Sequence, residues 1–270
     1  MKTLSLLFRS VVFCCAALSH LFSVAPVYAQ TQVSVATSIN VDQVIPLTYP
    51  APVRLEQVLA DSLANIKTLS DQVTLSTPQP VFWSGAALFD LQHFESFNQQ
   101  RQTVLNQLEQ LAEEWNDDAE QFHTVTNLIS DISGLKLSNR IFIPLDLDLI
   151  RINTSHNPLL DGDYQLILPI RPKHVWVLGT VKRQQNVPWQ QRADANYYLN
   201  QITVSENTDN SVVWVIQPDG VTEIHSIAYW NKKHKDIAPG ATVFVGFNSL
   251  PSKFSSLNQD IVELLRNRAL

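Results

Sequence analysis

Two carboxylates, Asp146 and Asp148, alternate in the run RIFIPLDLDLIRI, which reads as strand. Alternation places them on one face, as an acid and base for glycosyl chemistry would need. No partner motif accompanies them, and strand carboxylates without one serve structure more often than catalysis. Asp161 and Asp163 bracket Gly162 in a turn-like stretch and fall under the same reading. Arg140 opens the first of these runs, and Arg171 sits inside the apolar run LPIRP. A charge within a strand pattern snorkels, pairs with a carboxylate or lines a cleft, because an isolated buried charge is too costly. Trp83, Trp176, Trp189, Trp214 and Trp230 can stack on sugar rings or fill a core. Arg140, Arg171, Trp83 and Trp230 are therefore the candidate ligand or partner contacts. No catalytic residue is assigned.

Other chemistries find no footing. Ser84 precedes Gly85 but follows Trp83, so the G-x-S-x-G context of a hydrolase nucleophile is missing. The seven histidines are scattered, with no i,i+4 pair and no H-E-x-x-H spacing for a metal. Seven glycines leave no phosphate-cradling loop. No cofactor and no metal is expected.

The N-terminus carries Lys2 and Arg9 beside an apolar run from Leu4 to Ala17 and on to Val27, then Val27-Tyr28-Ala29. This is the pattern of a secretory signal peptide over residues 1–29, with cleavage expected between Ala29 and Gln30. Ser10, Ser19, His20 and Pro26 interrupt it too often for a membrane anchor. Cys14 and Cys15 lie inside it, so the exported chain has no cysteine and its fold must rest on burial rather than disulfides. Loss of Lys2 and Arg9 takes the formal charge from −6 to −8. An acidic chain without basic clusters is a poor match for nucleic acid or anionic lipid. A periplasmic protein is expected.

The elements that would position these residues fall into two related sets. VSVATSINV and VIPLTY read as strands, and Leu55, Val58, Leu59, Leu63 and Ile66 follow at helical spacing. A turn at Gly85 then precedes AALF. From His174 to Phe247 the order recurs: the run HVWVLGTV with Gly179 at a bend or close approach, a helix-like run with Ala193, Ala195, Tyr198, Leu199 and Ile202 roughly on one face, and two strands joined at Gln217-Pro218-Asp219-Gly220. A Pro239-Gly240 turn then leads into Val243, Val245 and Phe247. SGAALF at 84–89 is loosely parallel to PGATVF at 239–244, suggesting two copies of one fold. Between them, residues 91–132 have no proline and carry Phe94, Phe97, Val104, Leu105, Leu108, Leu111 and Trp115 in a helical rhythm. Asn116-Asp117-Asp118 breaks the rhythm, so a helical hairpin inserted in the first set is expected. After Pro251, residues Phe254, Leu257, Ile261, Leu264 and Leu265 form one stripe of a terminal amphipathic helix. The expected fold is α+β: two β-grasp-like domains at 30–172 and 173–250, the hairpin in the first, and the helix at 251–270.

VFWSGAALFD, IPLDLDLIRI, NPLLDGDYQLILPIRP, VWVLGTV, VIQPDG, AYWNKKH and IAPGATVFVGF together resemble the GfcC-type capsule-biosynthesis proteins. The resemblance covers most of the exported chain in order. It implies two SLBB-like β-grasp domains related to those of Wza-type polysaccharide export channels, and a non-catalytic accessory role in capsule or exopolysaccharide assembly and export. The partners it implies are the export machinery and the polysaccharide itself. It also implies an arginine in a cleft between the domains, placed here on Arg140. Alternatives remain a polysaccharide-modifying enzyme using Asp146 and Asp148, or an outer-membrane channel component. In the last case the terminal helix would contact the membrane, although packing against the protein's own domains is the preferred reading.

Overall fold

The computed structural model describes residues 30–40, 42–72 and 80–270, so the expected signal peptide lies outside the described residues. The first set of elements comprises β1 (Thr31–Ala36), β2 (Ile45–Tyr49), β3 (Val53–Arg54), α1 (Leu55–Gln72) and β4 (Ala87–Asp90). The hairpin α2 (Phe94–Glu114) and α3 (Ala119–Gly134) follows, then β5 (Arg140–Ile141), α4 (Leu147–Ile152), β6 (Leu159–Leu160) and β7 (Asp163–Ile167). Five strands form a sheet in the order β2-β1-β7-β4-β5, with β1 parallel to β7 and the other pairs antiparallel.

The second set is β8 (His174–Gly179), β9 (Gln185–Pro188), α5 (Ala195–Leu199), β10 (Val212–Ile216), β11 (Thr222–Ser226) and β12 (Thr242–Val245). Its sheet runs β11-β10-β12-β8-β9, with β12 parallel to β8. Read from the other edge, each sheet has its second, first, fifth, third and fourth strands in that order. Both sets are therefore β-grasp sheets of one topology. The parallel drawn between SGAALF and PGATVF does not survive: the first feeds a third strand, β4, and the second a fifth strand, β12.

Strand periodicity decides which side chains each sheet offers to which layer. In β8, β10 and β12, Val175, Val177, Val213, Val215, Val243 and Val245 enter a core with Tyr198 of α5. Their neighbours Trp176, Leu178, Ile216 and Phe244 point to the opposite face. There they meet Val104, Leu108 and Leu111 of α2, Val125, Leu128 and Ile132 of α3, and a terminal helix α6 (Leu257–Leu265). The hairpin is inserted in the first set, yet its apolar face covers the second sheet. Polar contacts repeat this: Thr124 and Ser205 share a hydroxyl hydrogen bond of 2.8 Å, the Glu206 amide donates to Glu120 at 3.2 Å, and Asn207 donates to Gln121 at 3.2 Å. The first sheet packs Val33, Val35, Leu88, Tyr164 and Leu166 against Leu55, Val58 and Leu59 of α1 and Ile150 of α4.

Local chemistry accounts for the hairpin's break. Asp118 caps α3 by accepting from the amides of Glu120 at 3.0 Å and Gln121 at 3.1 Å. These bonds, Gln121 first, hold its carboxyl below the usual range. At the other end, Arg101 of α2 donates to the carbonyls of Ile132 at 3.1 Å and Ser133 at 2.6 Å, where a helix C-terminus favours a cation.

Asp131 on α3 is half-buried, and desolvation pushes its carboxyl up to about 6. A carboxyl raised on folding favours the folded state below its unfolded value and loses that contribution as pH rises through 6. Asp131→Asn is expected to stabilise the protein at pH 8 by on the order of 1 kcal/mol, once solvent screening is allowed for. The gain should vanish at pH 3. Urea unfolding at the two pH values measures it, and an equal gain at both would show that charge burial is not the cause.

One segment departs from its sequence reading. Leu147–Ile152 is helical rather than extended. Asp146 caps it, accepting from the amides of Asp148 at 2.9 Å and Leu149 at 3.3 Å. Ile150 then drops into the first core, and Arg151 pairs with Glu56 of α1 at 3.1 Å. The alternating Leu-Asp pattern was outweighed by the cap and by the contact with α1.

Candidate functional site at the seam between the sheets

The helix change dissolves the carboxylate pair. Asp146 and Asp148 do not alternate on a strand face; one caps α4 and the other lies in its first turn. Asp161 and Asp163 flank Gly162, whose φ of 109° makes the tight turn into β7.

Arg140 is buried at 6% exposure, where β5 meets the last residues of the chain. Its guanidinium donates to the carbonyls of Ala86 at 3.0 Å and Arg268 at 3.3 Å, and its backbone amide donates to Asn267 at 3.0 Å. Burial pulls its pKa down to about 10; nearby Asp219 opposes this and Arg266 adds to it. Phe142 accepts both Arg140, at 5.9 Å from the ring centre, and Arg266, at 4.3 Å. Arg140 thus joins the first sheet to the terminal segment through backbone carbonyls. Among the described residues it has no ion pair.

Arg171 lies in an open cleft of about 490 Å³. Its guanidinium stands 4.9 Å from the centre of the Trp189 ring and 5.7 Å from that of Phe82. Both aromatic positions are pinned. The Phe82 amide donates to Pro169 at 2.7 Å, while Trp189 donates through its backbone to Lys173 at 2.8 Å and through its indole to Ile237 at 2.8 Å. Ser84 brings the first set to the cleft, and Gln217, Asp219 and Glu223 bring the β10–β11 hairpin of the second. Arg192, at φ 57°, turns in from the loop after Trp189, a conformation uncommon for a side-chain-bearing residue. Such a cleft presents an aromatic–cation stack with fixed donors and acceptors of both signs, suited to a hydroxyl-rich, partly charged ligand.

The other two candidates lie elsewhere. Trp83 is half-buried against the first core, and Trp230 is 78% exposed on a turn after β11, beside Tyr229 at 99%. All five stripe residues, Phe254, Leu257, Ile261, Leu264 and Leu265, are at most 2% exposed. All five pack into the core shared by the hairpin and the second sheet. Lys253 also reaches Glu114 of α2 at 2.6 Å. Regular helix occupies only Leu257–Leu265 of the expected 251–270, after a short 3-10 turn at Ser252–Phe254. Among the described residues, no helix is long and apolar enough to cross a membrane.

Sequence reasoning passed over Asp219, taken only as a turn residue, and Arg192. Arg266 and Arg268 were not among the candidates either. Their spacing of two, just past the apolar stripe, was the available signal, because the helix ends there and both side chains turn inward.

Comparisons with known proteins identify the family. The family model described as "Capsule biosynthesis GfcC, N-terminal" matches residues 29–171, and "Capsule biosynthesis GfcC C-terminal" matches residues 183–269. The uncharacterized protein YjbG of Escherichia coli (strain K12) is 32% identical over 212 residues, covering 77% of this chain and 85% of YjbG. With two matching models that together cover most of the chain, including the first sheet, the hairpin and the terminal helix, the chain belongs to the GfcC capsule-biosynthesis family.

Proposed function

We propose that this protein is a non-catalytic periplasmic accessory factor in the assembly and export of a capsule or exopolysaccharide. Family membership supports the capsule role. The observation that carries the contact site is the cleft at the seam, where Arg171 stacks on Trp189 beside Phe82. Its lining comes from both sets of elements, so polymer or partner binding there would sense their relative placement. The capping role of Asp146 removes the carboxylate face on which an enzyme reading depended. Burial of the terminal apolar stripe favours an accessory protein over a channel wall.

The test is deletion of the gene in its host, with surface polymer quantified and the protein located by fractionation. Complementation by the parent chain should restore export, and Asp146→Asn should restore it equally. The double variant Arg171→Ala, Trp189→Ala should fold but restore less than half. Loss of turnover of purified polymer on Asp146→Asn would sink the accessory reading, and full restoration by the double variant would remove the cleft from it.

A further inference from the structure

A second cavity, of about 260 Å³, shares no residue with the cleft. Its polar lining is Asn40 after β1, Lys136 after α3, Gln184 and Asn186 at β9, and Arg268 near the chain's end, with Trp176 of β8 alongside. Both sets of elements and the end of the hairpin therefore contribute. No aspartate or glutamate lines it.

Arg268 is held for a purpose other than ion pairing. Its Nη1 donates to the Gly240 carbonyl at 3.2 Å and to Thr242 Oγ1 at 3.0 Å, and its guanidinium lies 5.2 Å from the Trp176 ring centre. Among the described residues nothing accepts from its Nε–Nη2 edge, the fork that fits a carboxylate with two parallel bonds. Burial alone acts on this guanidinium, pulling it to about 10. Lys136 is exposed at the rim and has no ion pair among the described residues. Gln184 Oε1 already accepts from Trp176 Nε1 at 2.8 Å, which directs its amide nitrogen to other acceptors. The volume is below the roughly 300–1,000 Å³ of pockets that enclose drug-sized ligands, so one sugar unit fits better than a chain.

We propose that this cavity binds one sugar-acid unit, its carboxylate on Arg268 and Lys136 and its hydroxyls on Asn40, Gln184 and Asn186. The choice of a sugar rests on the capsule reading above; the choice of a carboxylate rests on the two cations and the free guanidinium edge. Three side-chain amides beside two cations suit a polyol acid better than phosphate, which would call for more cationic or backbone donors.

The test titrates the purified chain with glucuronate, with glucose and inorganic phosphate as controls, and follows the Trp176 indole N–H by nitrogen-15 NMR. Glucuronate is expected to give a saturable shift that weakens with added salt, phosphate a weaker one and glucose none. Lys136→Gln, at an exposed position that does not support the fold, should weaken glucuronate about tenfold, the effect of one charge-assisted bond. Arg268→Gln should weaken it at least as much. No saturable shift with glucuronate, an equal response to glucose, tighter phosphate binding, or unchanged affinity in Lys136→Gln would each overturn the proposal. None of these outcomes bears on the export phenotype, which tests the accessory role separately.

Discussion

Replacing Ile261 by alanine is expected to lower the unfolding free energy by about 2–5 kcal/mol, the range for a large aliphatic side chain removed from a close-packed site. Ile261 has no exposed surface and lies among side chains of the hairpin and the second sheet. For a chain of this size the melting temperature should fall by roughly 2–4 °C per kcal/mol. Ile261→Asp should prevent accumulation of folded protein, because a carboxylate there has no partner and no water. Denaturant unfolding measures the first effect and soluble yield the second. A helix whose apolar face served a membrane instead would leave the stability of the purified protein unchanged by either substitution.

Gly179→Ala is expected to destabilise the fold by about 3 kcal/mol or more, reversing the usual sign of a glycine-to-alanine change. Gly179 ends β8 at φ 113°. A Cβ there would collide with the backbone oxygen of Val245 and lie 2.9 Å from its backbone nitrogen and carbonyl carbon. The obstacle is the neighbouring strand itself, not a side chain that can swing away. Val245 cannot retreat cheaply, since its carbonyl accepts from the Thr180 amide at 2.8 Å and from the Thr180 hydroxyl at 3.2 Å. Equilibrium unfolding of the variant decides the matter: a loss under 1 kcal/mol would mean that β8 and β12 can separate without penalty. Because Trp176 lies three residues before, its indole N–H resonance should report the same disturbance.

Much of the architecture was legible because strand and helix periods are local. The run HVWVLG is apolar at every side-chain-bearing position after His174, which signals a strand buried on both faces. Asp118 and the hairpin's apolar rhythm were equally clear. Leu147–Ile152 was misread because its Leu-Asp alternation imitates a strand, while the decisive factors were a cap and the contact with α1. Of the candidate site residues, Arg171 could be singled out as a charge in an apolar run, but its stack on Trp189 joins positions from separate elements. The amide and cation group around Arg268 was hidden for the same reason: its members lie between positions 40 and 268.

The order of residues thus determined most of the elements, the α+β class and the family, since each depends on neighbours in the chain or on a pattern carried along it. Tertiary structure alone decided that a hairpin inserted in the first set would cover the second sheet, and that the terminal stripe would complete that core. It also decided that Arg140 would bond carbonyls while Arg171 faces a cleft. The physical reason is that an apolar face specifies how much surface must leave water, not which surface will cover it. That choice depends on shape and on contacts between distant residues, which no local pattern records.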